Sequence, residues 1–99
     1  MYAIEIGQSA LAEIAALPAY QGRIILEAIE QHLTLDPMRE TRRRKPLPGI
    51  DVPFEAAPPI WELRVGNYRV FYDVSAEQRM VFVRAVRRKP PHKTTKEIL

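Results

Sequence analysis

The stretch WELRVGNYRVFYDV, residues 61–74, predicts two antiparallel β-strands joined by a tight turn. Gly66-Asn67 is typical of a two-residue hairpin loop, and apolar and polar residues alternate on either side of it. A loop of this length fixes the register, so Arg64 faces Arg69 across the two strands. Like charges in this position destabilise a hairpin by a few tenths of a kcal/mol. The pair raises the question of what compensates for the repulsion.

The same register divides the side chains of the hairpin between two faces of the predicted sheet. The first face is apolar and aromatic, and it comprises Trp61, Leu63, Val65, Tyr68, Val70, Tyr72 and Val74. We expect helices to cover this face. The second face is predicted to stay open, and it comprises Glu62, Arg64, Arg69, Phe71 and Asp73.

A third strand is predicted over residues 79–86, after a four-residue turn. The preferred register pairs Val74 with Arg79 and Arg69 with Arg84. It assigns Val81, Val83 and Ala85 to the apolar face, and Met80, Phe82, Arg84 and Val86 to the open face. A slip of one residue would reverse this assignment.

Two amphipathic helices are predicted to precede the hairpin. A short strand at residues 2–6 leads to a helix whose N-cap is Ser9 and which runs to about Leu17. Pro18 ends or kinks this helix. The second helix extends from about Ala19 to Leu35, and its apolar stripe consists of Ile25, Ala28, Ile29 and Leu33.

The connection at residues 37–59 is unusually long and holds six of the nine prolines. A connection of this length within a small domain is usually functional or mobile. Near the end of the chain, Thr94 and Glu97 have the spacing of a capping box for a short last helix. The order of elements is β-α-α-β-β-β-α. It predicts an α+β fold with two N-terminal helices packed on one face of a small, mainly antiparallel sheet.

Length and composition indicate one domain, residues 1–99, that folds without disulfides. The chain has no cysteine and only two histidines, so we expect no metal site, and no cofactor is predicted. No apolar run reaches the ~18 residues of a membrane span, and the N-terminus lacks the basic region of a signal peptide. These features predict a cytoplasmic protein without membrane contact.

Positive charge is concentrated in the last third of the chain. Residues 1–33 carry a net charge of −3, whereas residues 64–99 carry +6. This asymmetry favours a polyanionic partner, although a basic surface can also serve solubility alone.

In the preferred register three arginines form a row across the open face, namely Arg64, Arg69 and Arg84. Phe71 and Phe82 lie beside this row. Guanidinium groups bind phosphate oxygens through paired hydrogen bonds, and aromatic rings stack on unpaired bases, so the open face is predicted to bind RNA. The alternative is that Glu62 and Asp73 neutralise the arginines in surface ion pairs, each worth about 0–1 kcal/mol.

Three motifs mark the second half of the chain: KPLPG at residues 45–49, WELRVGNYRVFYDV at residues 61–74 and MVFVRAVRRK at residues 80–89. Together they resemble the RelE/ParE family of toxins from type II toxin–antitoxin systems. The resemblance implies a fold of two N-terminal helices on an antiparallel sheet, in agreement with the predicted order. It implies one of two activities, since RelE-like members cut mRNA on the ribosome without a metal ion and ParE-like members poison DNA gyrase. It also implies a cognate antitoxin, with which the toxin forms a hetero-oligomer.

The resemblance to RelE-like members further implies roles for single residues. Arg69 would bind the scissile phosphate, and Lys89, just after the last strand, would assist it. RelE-like nucleases often carry a tyrosine near position 95, where this chain has none. His92 is the nearby side chain suited to acid–base chemistry at neutral pH. The remaining predicted RNA or phosphate contacts are Arg43, Arg44, Lys45, Arg64, Phe71, Arg84, Arg87, Arg88 and Lys93.

Three functions remain open on this basis. The first is a ribosome-dependent mRNA endonuclease (mRNA interferase), favoured by the arginine row and by segment 84–96, which has six Lys or Arg and no acid. The second is a gyrase inhibitor, which would need only a protein-binding surface. The third is a catalytically inactive member of the family that still binds an antitoxin.

Overall fold

Five β-strands and three α-helices form the fold in the computed structural model, which describes residues 1–99. The elements are β1 (Ala3–Ile6), α1 (Gln8–Ala15), α2 (Ala19–Leu33), β2 (Arg44–Leu47), β3 (Ile60–Val65), β4 (Tyr68–Ser75), β5 (Met80–Arg88) and α3 (Thr95–Ile98). The strands form one sheet in the order β1-β5-β4-β3-β2, with β1 parallel to β5 and the other neighbours antiparallel. The predicted α+β fold is confirmed. None of the helices combines the length and the apolar character needed to cross a bilayer.

The first helix begins earlier than predicted, and Ser9 lies inside it rather than at its N-cap. Gly7 is the N-cap residue, and its N–H donates a hydrogen bond of 2.8 Å to the carbonyl oxygen of Val83. A Cβ at position 7 would lie 3.1 Å from that oxygen, so glycine permits the close passage from β1 into α1.

The second helix ends at Leu33, two residues before its predicted end at Leu35. The carbonyl oxygen of Thr34 accepts a hydrogen bond of 2.7 Å from the N–H of Tyr2. This tertiary bond ties the start of the chain to the end of α2, and sequence periodicity cannot reveal it.

The second helix packs on the apolar face of the sheet, as predicted. Its buried residues Ile25, Ile29 and Leu33 belong to one core cluster with Leu63, Val65, Val70, Tyr72, Val81 and Val83 of the sheet. Each fully buried aliphatic side chain of this size contributes about 1.5–3 kcal/mol relative to an exposed one. The hydroxyl group of Tyr72 donates a hydrogen bond of 2.7 Å to the carbonyl oxygen of Pro37.

The hairpin between β3 and β4 has the predicted register. Arg64 faces Arg69 and Val65 faces Tyr68. Gly66 has a φ of 57°, in the left-handed region that glycine adopts without strain. The two arginines therefore do lie opposite each other.

The turn between β4 and β5 has the predicted four residues, but it lies one residue later in the chain, at residues 76–79. Arg79 has a φ of 53° and belongs to the turn rather than to a strand. As a consequence Ser75 pairs with Met80, and Val74 pairs with Val81. The predicted pairing of Val74 with Arg79 is wrong.

A β-bulge between Phe71 and Tyr72 changes the pairing a second time, further along the same two strands. Beyond the bulge Arg69 faces Arg87, so the predicted pairing of Arg69 with Arg84 is wrong. The row of cross-strand partners contains Arg87 where Arg84 was expected.

The bulge also exchanges two side chains of β5 between the faces of the sheet. Val86 joins the core under the helices, and Ala85 lies in a separate cluster on the opposite face. Val86 was predicted on the open face and Ala85 on the apolar face, so both assignments are wrong. Val81 and Val83, which precede the bulge, are in the helix-side core as predicted.

The face predicted to stay open is covered by the long connection and by the C-terminal helix. Its small core of Ile60, Phe71 and Ala85 is packed against Leu47, Ile50, Val52, Phe54, Ala56, Ile98 and Leu99. Phe71 is 0% exposed, and its ring centroid lies 6.2 Å from that of Phe54. The prediction that Phe71 is available to stack on an RNA base is therefore wrong.

Residues 37–59 are not one uninterrupted connection, because they contain β2, which pairs with β3. The rest of the connection is fastened by Asp73, which is 1% exposed. Its Oδ2 accepts hydrogen bonds from the N–H of Ala57 at 3.1 Å and from Nε of Arg84 at 2.7 Å. The hydrogen bond to Asp73 raises the pKa of Arg84, so this guanidinium is held as a structural cation.

We expect Asp73→Ala to destabilise the protein by about 2–3 kcal/mol, because it leaves the partly buried Arg84 cation and the Ala57 N–H without their partner. Urea unfolding followed by circular dichroism measures the change. Glu77→Ala, at an exposed turn position, is the matched control and should change stability by less than about 0.5 kcal/mol. Equal stability of the two variants would contradict the anchoring role of Asp73.

Candidate phosphate-binding cleft

A polar cleft of about 260 Å³ opens between the segment leading into β2, the β3–β4 hairpin and α3. It contains no hydrophobic residue, and its lining consists of Thr41, Arg42, Arg43, Arg44, Lys45, Glu62, Arg64, Arg69, Lys89 and Thr95. Seven of these ten side chains are cationic and one is acidic. A concave site with such a charge balance attracts anions.

Strand pairing places the central members of the cleft on one face of the sheet. Lys45 of β2 is the cross-strand partner of Glu62 in β3, and Arg64 is the partner of Arg69 in β4. Partners directly opposite one another project to the same side. The cleft therefore lies at the β2 side of the sheet, next to the small core that the long connection covers.

Arg69 is 7% exposed and lies deep in the cleft. Its Nη1 donates hydrogen bonds to the carbonyl oxygens of Gly66 at 2.9 Å and Tyr68 at 2.8 Å. Burial lowers the pKa of Arg69, Glu62 partly offsets this effect, and Arg64 lowers the pKa further. No hydrogen bond of the structure engages its Nη2, so one edge of the guanidinium is free for an anion.

Glu62 is the acidic residue of the cleft, and it is 5% exposed. Its Oε1 lies 3.9 Å from Nε of Arg69, and its Oε2 accepts a hydrogen bond of 2.5 Å from the hydroxyl group of Thr95. The expectation that Glu62 neutralises an arginine is met only in part, because the contact with Arg69 is at the limit of an ion pair.

The C-terminal helix brings Thr95 to the cleft. The predicted capping box is present, since Oγ1 of Thr94 accepts from the N–H of Glu97 at 3.3 Å and Oε1 of Glu97 accepts from the N–H of Thr94 at 3.0 Å. Sequence reasoning did not include Thr95 or Glu62 among the site residues. The available signals were the alignment of position 95 with the family tyrosine and the position of Glu62 on the arginine face.

Arg44 lines the cleft but serves mainly to hold the end of α2. Its Nη1 donates hydrogen bonds to the carbonyl oxygens of His32 at 2.5 Å and Asp36 at 2.7 Å. The first bond satisfies a carbonyl group that the C-terminus of α2 leaves unpaired, and the second ties the helix end to the segment that follows. Arg42, Arg43 and Arg64, in contrast, are exposed and form no ion pair in the structure.

The remaining predicted contacts lie outside the cleft. Arg84 is paired with Asp73, and Arg87 with Glu13 of α1. Arg88, His92 and Lys93 are exposed and are not among the lining residues. The structure thus brings Arg43, Arg44, Lys45, Arg64, Arg69 and Lys89 together, and leaves His92 apart from them.

We expect Arg44→Ala to destabilise the protein by about 2 kcal/mol, because it removes two charge-assisted hydrogen bonds at the end of α2. Arg42→Ala, in the same cleft but exposed, is the matched control and should leave stability within about 0.5 kcal/mol of wild type. Thermal unfolding of both variants provides the measurement. An unchanged melting temperature in Arg44→Ala would contradict the structural role.

Comparison with solved structures finds chains of the same fold in toxin–antitoxin complexes. A chain of the archaeal RelE–RelB complex from Pyrococcus horikoshii OT3 superimposes with a TM-score of 0.69 and 21% identity, over 94% of this chain and 98% of that chain. A chain of RelBE2 from Mycobacterium tuberculosis gives a TM-score of 0.66 and 21% identity, over 89% and 98%. A chain of RelBE from E. coli gives a TM-score of 0.66 and 23% identity, over 93% of this chain and 100% of that chain. At these identities the likeness shows the fold alone.

Among curated proteins no sequence matches this chain. A family model does match, over residues 4–89, and it is described as the ParE toxin of type II toxin–antitoxin system, parDE. The matched residues run from β1 to the end of β5 and contain most of the cleft. The chain therefore belongs to the RelE/ParE family of toxins of type II toxin–antitoxin systems.

Proposed function

We propose that this toxin is an mRNA endonuclease that acts on ribosome-bound mRNA in the cytoplasm and thereby inhibits translation. The observation that carries the proposal is Arg69, held with one free edge in a cleft lined by seven cationic side chains. A site of this kind suits a phosphodiester, which is an anion with two oxygens that a guanidinium can bind together.

The reaction would use the 2′-hydroxyl group of the RNA as the nucleophile on the adjacent phosphorus. Negative charge develops on the phosphate oxygens in the transition state, and cations fixed around it stabilise that charge. Arg69, Arg64 and Lys45 surround such a phosphate in the proposed complex. Lys89 is the candidate proton donor to the leaving 5′-oxygen, since its side chain lines the cleft.

A cognate antitoxin is the proposed protein partner, in a hetero-oligomer. The supporting observation is that the similar chains named above come from RelE–RelB and RelBE complexes.

Inhibition of DNA gyrase is the second candidate function. It is favoured by the description of the family model as a ParE toxin and by the position of His92 outside the cleft.

Induced expression in a bacterium, followed by primer extension on an abundant mRNA, tests the proposed activity. We expect new 5′ ends within the reading frame for wild type and none for Arg69→Ala, because the phosphate loses its central contact. Arg23→Ala, at an exposed position of α2 away from the cleft, is the control and should cut like wild type. Growth arrest with intact mRNA and inhibited gyrase would support the second candidate instead. A folded protein without toxicity would contradict both.

Binding of a single-stranded RNA that carries 2′-deoxy groups, and so cannot be cleaved by its own hydroxyls, should depend steeply on salt. We expect Arg64→Ala to reduce the slope of log K against log salt by about 0.7, since one phosphate contact is lost. Arg23→Ala should leave the slope unchanged. Fluorescence anisotropy over a series of salt concentrations measures both, and equal slopes would place Arg64 outside the interface.

A further inference from the structure

We propose that Glu62 is the catalytic base that takes the proton from the attacking 2′-hydroxyl group. This inference rests on the proposed endonuclease activity and deepens it. It assigns the base to a residue inside the cleft, whereas the sequence alone pointed to His92, which lies outside it.

The two oxygens of the Glu62 carboxylate have different surroundings. Oε2 is held by the hydroxyl group of Thr95 at 2.5 Å. Oε1 accepts no hydrogen bond in the structure and lies 3.9 Å from Nε of Arg69. One oxygen thus fixes the orientation of the group, and the other faces the guanidinium that would bind the phosphate.

A phosphate bound to Arg69 would bring its own ribose next to this free oxygen. The 2′-hydroxyl group is attached to the carbon next to the one that carries the 3′-oxygen of the scissile phosphate, so a group on the ribose side of that phosphate lies close to it. A base acts within hydrogen-bond reach of the proton it takes. With Arg69 as the phosphate ligand, Oε1 of Glu62, 3.9 Å from Nε of Arg69, is the acceptor placed beside that phosphate.

The other residues of the cleft are poorly suited to accept a proton. Six of the remaining side chains carry a guanidinium or ammonium group that has no acceptor when protonated, and Arg69 is the seventh. The hydroxyl oxygen of Thr41 already accepts the N–H groups of Arg43 and Arg44, at 3.1 and 3.2 Å. The carboxylate of Glu62 is the remaining strong acceptor.

The step balances without a co-reactant. The 2′-oxygen forms a bond to phosphorus while the bond from phosphorus to the 5′-oxygen breaks. The 2′-hydroxyl proton moves to Oε1 of Glu62, and the ammonium group of Lys89 gives a proton to the leaving 5′-oxygen. The products are a 2′,3′-cyclic phosphate and a 5′-hydroxyl end, and proton exchange with water restores both side chains.

The test compares cleavage with binding for Glu62→Gln, using ribosomes programmed with mRNA and the full-length toxin. We expect cleavage to fall at least about 100-fold, the usual effect of losing a general base. Binding of the 2′-deoxy RNA should stay the same or become tighter, because a negative charge leaves a site that binds an anion. Thr95→Val, which keeps the carboxylate but removes its anchor, should lose less activity than Glu62→Gln.

A substrate with sulfur in place of the leaving 5′-oxygen separates the base from the acid. Sulfur leaves readily without a proton, so this substrate should restore cleavage by Lys89→Ala but not by Glu62→Gln. Restoration of both variants to the same degree would overturn the assignment of Glu62. The assignment would also be overturned if Glu62→Gln cleaved the normal substrate at a rate within about threefold of wild type, since the expected loss is at least about 100-fold.

Two further outcomes are distinguishable. If wild type itself cuts no RNA, the proposed function fails and this inference falls with it. If Glu62→Gln does not bind RNA, the pair Glu62→Asp and Glu62→Asn replaces it. Faster cleavage by the Asp variant then supports the proposal, and equal rates overturn it.

Discussion

The register of the β3–β4 hairpin is the constraint on which the rest of this structure depends. Gly66, with a φ of 57°, allows a two-residue turn, and such a turn leaves no freedom in how the strands pair. It turns Tyr72 towards α2 and the core, and it sets Arg64 against Arg69 on the opposite face. One local geometry therefore decides both what is buried under the helices and where the cations lie.

The repulsion between the two arginines is relieved by surroundings that come from elsewhere in the chain. Two backbone carbonyls hold Nη1 of Arg69, and the buried Glu62 carboxylate places a negative charge 3.9 Å from its Nε. Arg64 remains exposed to solvent, where water screens it. These contacts reduce the repulsion without a ligand, and the cleft keeps unpaired positive charge that an anion could bind.

Covering both faces of the sheet is what creates the cleft. The long connection and α3 bury Phe71 under their own apolar residues, and the cleft remains open on the β2 side of that face. Because the long connection and α3 lie on this face, its cations do not form one broad basic surface but fall into two groups. Arg84 and Arg87 are bound to acids, whereas Arg64, Arg69 and Lys45 share one concave site.

The sequence by itself determined the elements whose patterns are local: the hairpin register, the apolar stripe of α2, the capping box of α3 and the family motifs. Only the tertiary structure decided the bulge at Phe71–Tyr72, the pairing of β2 with β3 and the cover over Phe71. A bulge exchanges the faces of the residues beyond it, but in the sequence the alternation of Val81, Val83 and Ala85 continues through it, so sequence periodicity cannot reveal it. For the same reason the sequence placed Arg84 rather than Arg87 opposite Arg69, and Glu62 became a site residue only when the fold placed Thr95 beside it.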